Sequence, residues 1–121
     1  IAGWLHDSGS TESGYCLNLW TSGGFEFGLA SGAGSGGFTY LRQTGYSTDT
    51  WYHVAGTYDG TAQRLYVDGT QVDWTPKSGA INWEWLDGDG FEIGRYHDDN
   101  EDIRFRGLID DVRVYSRAVK P

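Results

Sequence analysis

Residues 51–69 read WYHVAGTYDGTAQRLYVDG, and the reading of this run decides the fold. Trp51 to Tyr58 is strand-like and ends at Asp59-Gly60, a dipeptide suited to turns because Asp and Gly tolerate the positive φ that hairpins require. Arg64 to Val67 (RLYV) is a second short strand, closed by a second such pair at Asp68-Gly69. Two Asp-Gly turns bracketing one strand make a β-meander. His53 lies between Tyr52 and Val54 in the middle of a strand. There a lone histidine is a hydrogen-bonded structural residue rather than a ligand.

Outward from this run the period stays at two, and no stretch shows a convincing period of 3.6. In Tyr15 to Trp20, Tyr15, Leu17 and Leu19 share one face while Cys16, Asn18 and Trp20 share the other. Gly23-Gly24 turns the chain into Phe25 to Leu29, giving a hairpin. SGAGSGG (31–37) is a glycine and serine loop, expected to be mobile, and Phe38 to Arg42 is a further strand. From Asp73 to Gly90 the pattern breaks down, which predicts a long exposed loop. Phe91 to Gly94 reads as a short strand, RYHDDNED as a polar acidic stretch, and Phe105 to Tyr115 as the last strand or bent strand pair. Many short strands joined by turns describe an all-β antiparallel sandwich or barrel.

Composition agrees with this reading and removes several functions. The chain has 121 residues, enough for one domain, with 19 Gly, 6 Trp, 8 Tyr, 5 Phe and no Met. Its formal net charge of −8 opposes long-range attraction to nucleic acid or anionic lipid and favours cations and neutral partners. The single Cys16 cannot form an intrachain disulfide, and no apolar run approaches the roughly 20 residues of a membrane span. The first residues, IAGWLHDSGS, have neither the basic start nor the apolar middle of a signal peptide, and Ile1 already opens a strand. A piece excised from a longer protein is therefore expected.

Three segments resemble the concanavalin A-like jelly rolls of the laminin G-like and pentraxin-like group. They are Trp51 to Gly60, Leu65-Tyr66-Val67-Asp68-Gly69, and the pair FEIG (91–94) with FRGLIDDVRVY (105–115). Residues 1–30 resemble the same group's opening hairpin less specifically. The resemblance implies a two-sheet antiparallel jelly-roll sandwich over residues 1–121, a single laminin G-like domain lacking one or more N-terminal strands, and secreted or cell-surface placement. It also implies a recognition module for a glycan or an extracellular protein. A structural, adhesion or assembly domain is the alternative, and an auxiliary domain of a glycoside hydrolase or sialidase is a third reading.

Two groups of residues are candidates for binding. Trp74, Trp83 and Trp85 fall in the expected loop, and Trp83 and Trp85, two apart, point the same way on an extended backbone. Exposed indoles stack on the C–H faces of sugars, while Asn82, Tyr96 and His97 could fix hydroxyls. The plainer reading of any single Trp is a cap on the core. Calcium, with its six to eight oxygen ligands, is the cofactor to consider for the acidic groups, Asp87 and Asp89 before FEIG and Asp98, Asp99 and Asp102 after it. The resemblance adds Asp110 and Asp111 of the closing segment as a ligand source. The plainer reading is that these loops are simply solvated. Paired carboxylates for glycoside hydrolysis are absent as a motif, with Glu84 and Glu92 the one conceivable pair, and neither a G-x-S-x-G nor a phosphate-binding loop occurs. No catalytic activity is expected.

Overall fold

The computed structural model describes residues 1–8, 11–20, 23–32, 37–84, 90–97 and 101–119, which form ten strands and no α-helix. They are β1 (Ala2–Ser8), β2 (Thr11–Trp20), β3 (Gly24–Ala30), β4 (Phe38–Thr44), β5 (Val54–Tyr58), β6 (Ala62–Val67), β7 (Thr70–Pro76), β8 (Glu92–Ile93), β9 (Arg95–His97) and β10 (Asp102–Arg104). A five-stranded sheet runs in the order β4-β3-β2-β1-β8, a three-stranded sheet in the order β5-β6-β7, and β9 pairs with β10. All the pairings are antiparallel.

The meander expected from 51–69 is the three-stranded sheet. Asp68 (φ 50°) and Gly69 (φ 77°) both take positive φ between the paired Val67 and Thr70, the backbone of a type I′ turn. Asp68 also ties this turn to the strand entry. Its N–H donates to the His53 carbonyl and its Oδ1 accepts from the His53 N–H, both at 2.8 Å. The first turn is held by Asp59, whose Oδ1 accepts from the Thr61 N–H (2.9 Å), the Thr61 hydroxyl (2.7 Å) and the Ala62 N–H (2.8 Å). Its Oδ2 accepts from Arg64 Nη1 at 2.6 Å. These donors, the Thr61 hydroxyl and Arg64 foremost, hold the carboxyl well below the ordinary carboxylate range.

Strand register sorts the side chains into two faces. Trp4, Tyr15, Leu17, Leu29, Phe27 and Leu41 share the inner face of the five-stranded sheet, and Gln63, Leu65 and Val67 share that of the other sheet. Phe27, Leu41 and Leu65 form the buried centre, with Tyr15, Leu17, Val54 and Val72 packed around it. Phe27 fits because β5 has Gly56 opposite Leu65. A Cβ there would lie 2.4–2.6 Å from the Phe27 ring. The fully buried Gln63 supplies the polar link between layers, its Nε2 donating to the carbonyls of Phe27 (2.8 Å) and Thr39 (3.2 Å) and its Oε1 accepting from the Thr39 hydroxyl at 2.5 Å. At one edge the Arg42 N–H of β4 donates to Asp73 Oδ2 of β7 at 2.9 Å, so the layers meet there.

Four expectations change. The strand expected at 51–58 is regular only from Val54. The loop expected over 73–90 begins later, because β7 pairs with β6 as far as Pro76. Within RYHDDNED and just beyond it, β9 and β10 pair Arg95 with Arg104 and His97 with Asp102, where a polar loop was expected. The largest correction concerns Phe105 to Tyr115, which forms no strand. Its alternation supplies an apolar face, but a strand needs a ladder partner, and none pairs with it among the described residues. Asp111 instead takes φ 52°, its N–H donates to Asp110 Oδ1, and its carboxylate binds Arg113. Of the 31–37 loop, residues 33–36 lie outside the described residues. Its ends are pinned, with Ser31 Oγ donating to the Ser78 carbonyl (2.9 Å), the Gly32 N–H to the Ala80 carbonyl (3.0 Å) and Lys77 Nζ to the Gly37 carbonyl.

Two outcomes follow from these contacts. Gly56→Ala places a methyl group 2.4–2.6 Å from three Phe27 ring carbons and is expected to cost about 1–3 kcal/mol in urea unfolding. Combined with Phe27→Leu, its cost should fall below the sum of the two single costs, and simple additivity would disprove the clash. Asp59→Asn removes a carboxylate whose folded pKa is depressed, so its contribution is full above about pH 4 and fades as pH drops further. The stability gap between the original protein and Asp59→Asn, measured by thermal melts across pH 2–7, should narrow progressively below about pH 4.

Candidate functional site

The three-stranded layer does not cover the whole inner face of its partner. β6 packs against β3 and β4, and β7 meets β4, which leaves the β1–β2 part of that face for other residues. Trp4 and Tyr15 stand directly opposite each other there. Trp83 covers them, its ring centroid 6.1 Å from Trp4 at a tilt of 52° and 6.0 Å from Tyr15 edge-on at 83°. Phe91 lies 6.4 Å from Tyr15. Such pairs contribute about 0.5–1.5 kcal/mol each beyond area burial. The cluster nevertheless remains open to solvent, with Trp4 37%, Trp83 47% and Phe91 38% exposed.

Asn82 holds this ring in place. Its N–H donates to the Ala30 carbonyl (3.0 Å), its carbonyl accepts from the Gly14 N–H (2.7 Å), its Nδ2 donates to the Glu12 carbonyl (3.2 Å), and its Oδ1 accepts from the Glu84 N–H (2.9 Å). A residue only 5% exposed has thus used both backbone and both side-chain functions to fasten residues 80–84 across β2 and β3. Its amide orients Trp83 rather than reaching solvent. Beside Trp83 lies a wide open depression of about 590 Å³ bordered by Gly32, Ala80, Ile81, Asn82 and Glu84.

The other expected residues fall elsewhere. Trp74 stands opposite Arg64 on β7, on the face turned away from Leu65 and the core, so it does not share a surface with Trp83. Trp85 lies outside the described residues. Tyr96 and His97 line a second cleft with Gly3, Cys16, Asn18 and Glu92, on the outer side of the five-stranded sheet. Its interior of about 20 Å³ has room for roughly one water and none for a sugar ring. Burial, then the nearby Glu26, push the Cys16 thiol up to about 12, which leaves it protonated and unreactive at neutral pH. Glu84 and Glu92 are divided between the two clefts.

The acidic groups do not converge on a cation among the described residues, where no set of three or more His, Cys, Asp or Glu side chains gathers in a metal-holding arrangement. Asp102 binds Arg95 Nε (2.7 Å) and Arg104 (3.4 Å), which lower its pKa to about 2, hydrogen bonding from Arg95 being the largest cause. Asp110 and Asp111 are occupied by their own turn and Arg113. Asp87, Asp89, Asp98 and Asp99 lie outside the described residues.

Trp4, Tyr15 and Phe91 were not expected in the site. Neither spacing nor composition joins residues so far apart, and only the β1–β2 register brings the first two together. The signal available in the sequence was the face shared by Tyr15, Leu17 and Leu19, which marks Tyr15 as inward-facing.

Among curated proteins none matches significantly. The solved structure of an S-layer domain-containing protein (residues 221–444) from Clostridium thermocellum ATCC 27405 is similar, with 25% identity and a TM-score of 0.51 over 93% of this chain. The chain spans 55% of that structure. The family model Laminin_G_3, described as the concanavalin A-like lectin/glucanases superfamily, matches residues 2–121. An all-β sandwich whose meander and opening hairpin follow that pattern, matched over nearly its full length, belongs to the concanavalin A-like lectin/glucanases superfamily, in its laminin G-like branch.

Proposed function

We propose that this domain is a non-catalytic recognition module that binds a glycan on the open aromatic surface beside Trp83. The observation that carries this reading is a tryptophan 47% exposed whose backbone neighbours are fixed by a buried asparagine. A flat apolar ring presented in one orientation loses little freedom when a sugar stacks on it. Trp4 extends the platform, and the exposed Glu84 offers acceptors for hydroxyls at the border of the depression. The separation of Glu84 from Glu92 supports a binding rather than a hydrolytic role, since hydrolysis needs two carboxylates on one bond.

A second reading, a surface assembly domain, is favoured by the likeness to an S-layer domain-containing protein and by the apolar residues exposed after β10, Leu108 at 79% and Val114 at 60%. That likeness also supports placement at the cell surface. Exposed apolar residues in one segment suit contact with protein.

Titration of the domain with a panel of neutral oligosaccharides, followed by calorimetry, separates the two. A binding glycan should lose at least about tenfold in affinity with Trp83→Ala, equivalent to about 1.4 kcal/mol. Trp74→Ala, on the opposite face, should leave it unchanged. No binding by any sugar, together with self-association in sedimentation that depends on Leu108 and Val114, would replace the glycan reading with the assembly one.

A further inference from the structure

The outer face of the five-stranded sheet carries a second constellation. Register places Trp20, Glu26, Tyr40 and Arg42 on the side away from Leu17, Phe27 and Leu41. Glu26 is 2% exposed, and its Oε2 accepts from Arg42 Nε at 2.5 Å. The guanidinium carbon stands 4.1 Å from the Trp20 ring centroid and 4.9 Å from that of Tyr40. One edge of the guanidinium is therefore fixed by a buried carboxylate, and its position by two aromatic rings. Neither Nη has a hydrogen-bond partner among the described residues, and the Arg42 side chain is 42% exposed.

We infer that Arg42 is a carboxylate-reading subsite for a uronic-acid-containing glycan. A planar fork held in place is suited to bidentate binding of a carboxylate, and little side-chain entropy remains to be lost. The flanking indole, 42% exposed, offers an apolar surface to the C–H face of the same or the adjoining sugar. Trp20 and Arg42 sit on strands two apart, about 10 Å across the sheet, yet the guanidinium carbon lies 4.1 Å from the indole centroid, so anion and apolar surface fall within reach of a single sugar unit. A ligand with both a flat apolar face and a single in-plane anion per unit matches that pattern. The chain's net charge of −8 disfavours diffuse polyanion binding, so recognition must come from this fixed contact. This subsite lies on the other side of the sheet from Trp83 and stands independently of the reading proposed for that surface.

The test is calorimetric titration of the intact domain with tetragalacturonate, its neutral galactose counterpart and a tetraglutamate peptide. Tetragalacturonate should bind at least tenfold more tightly than the other two. Trp20→Leu and Arg42→Lys should each weaken it about tenfold or more, while Trp74→Ala, on the other sheet, leaves it unchanged. Arg42→Lys keeps a charge for the buried Glu26. If that variant still fails to fold, as judged by circular dichroism, Trp20→Leu gives the reading alone. Neutral-sugar binding as strong as that of tetragalacturonate and equally weakened by Trp20→Leu, equal binding of the peptide, no binding of tetragalacturonate, or its indifference to Trp20→Leu would each overturn the inference.

Discussion

Phe27 and Gly56 set the distance and the offset between the two layers, because an aromatic ring from one sheet occupies the volume that any other residue at 56 would claim for its Cβ. With that contact fixed, β6 lies over β3 and β4, and Gln63 reaches the Phe27 and Thr39 carbonyls from the same position. A three-stranded layer centred there cannot extend across a sheet of five strands. The inner face under β1 and β2 is left to side chains from connecting segments, and these are Trp83 and Phe91. The open aromatic surface thus follows from where the layers lock.

Exposure of such rings to water is unfavourable, and a folded domain rarely keeps a large apolar patch without use. Here the cost is confined by edge-on and tilted contacts that shield part of each ring. Asn82 adds rigidity at the point where a connecting segment would otherwise be free to adjust. Removing its amide would take a hydrogen bond from the Glu12 carbonyl and from the Glu84 N–H, so orientation of Trp83 is coupled to the integrity of β2.

The meander at 51–69 was legible because every feature that specifies it is local. Asp68 and Gly69 supply the positive φ, Asp59 closes the other turn, and alternation marks the inner face. The Gly23-Gly24 hairpin was legible for the same reason. The open aromatic surface was not, since its members come from β1, β2, residue 83 and residue 91, and parity within a strand cannot say which element lies across from it. Trp74 shows the limit of reading a loop by composition. Pairing with Arg64 continues β7 past the point where the pattern breaks and turns that indole outward. Phe105 to Tyr115 shows the converse, an alternation that predicts a strand in a segment whose backbone finds no ladder among the described residues.

The arginines separate the incidental from the structural charge pairs. Arg64, Arg95, Arg104 and Arg113 bind exposed or half-exposed carboxylates nearby in sequence, pairs that contribute on the order of 0–1 kcal/mol and are screened by salt. Arg42 differs because its partner, Glu26, is 2% exposed, and an unpaired carboxylate so withdrawn from water would cost about 3–5 kcal/mol. The absence of a Cβ at Gly28, which would lie 2.8 Å from both Cys16 Sγ and Tyr40 Cε1, is what lets the aromatic side chains close over that part of the sheet. Glycine within the strand, a buried acid and a ring-flanked guanidinium therefore form one unit, in which desolvation of Glu26 dictates where the Arg42 guanidinium must stand.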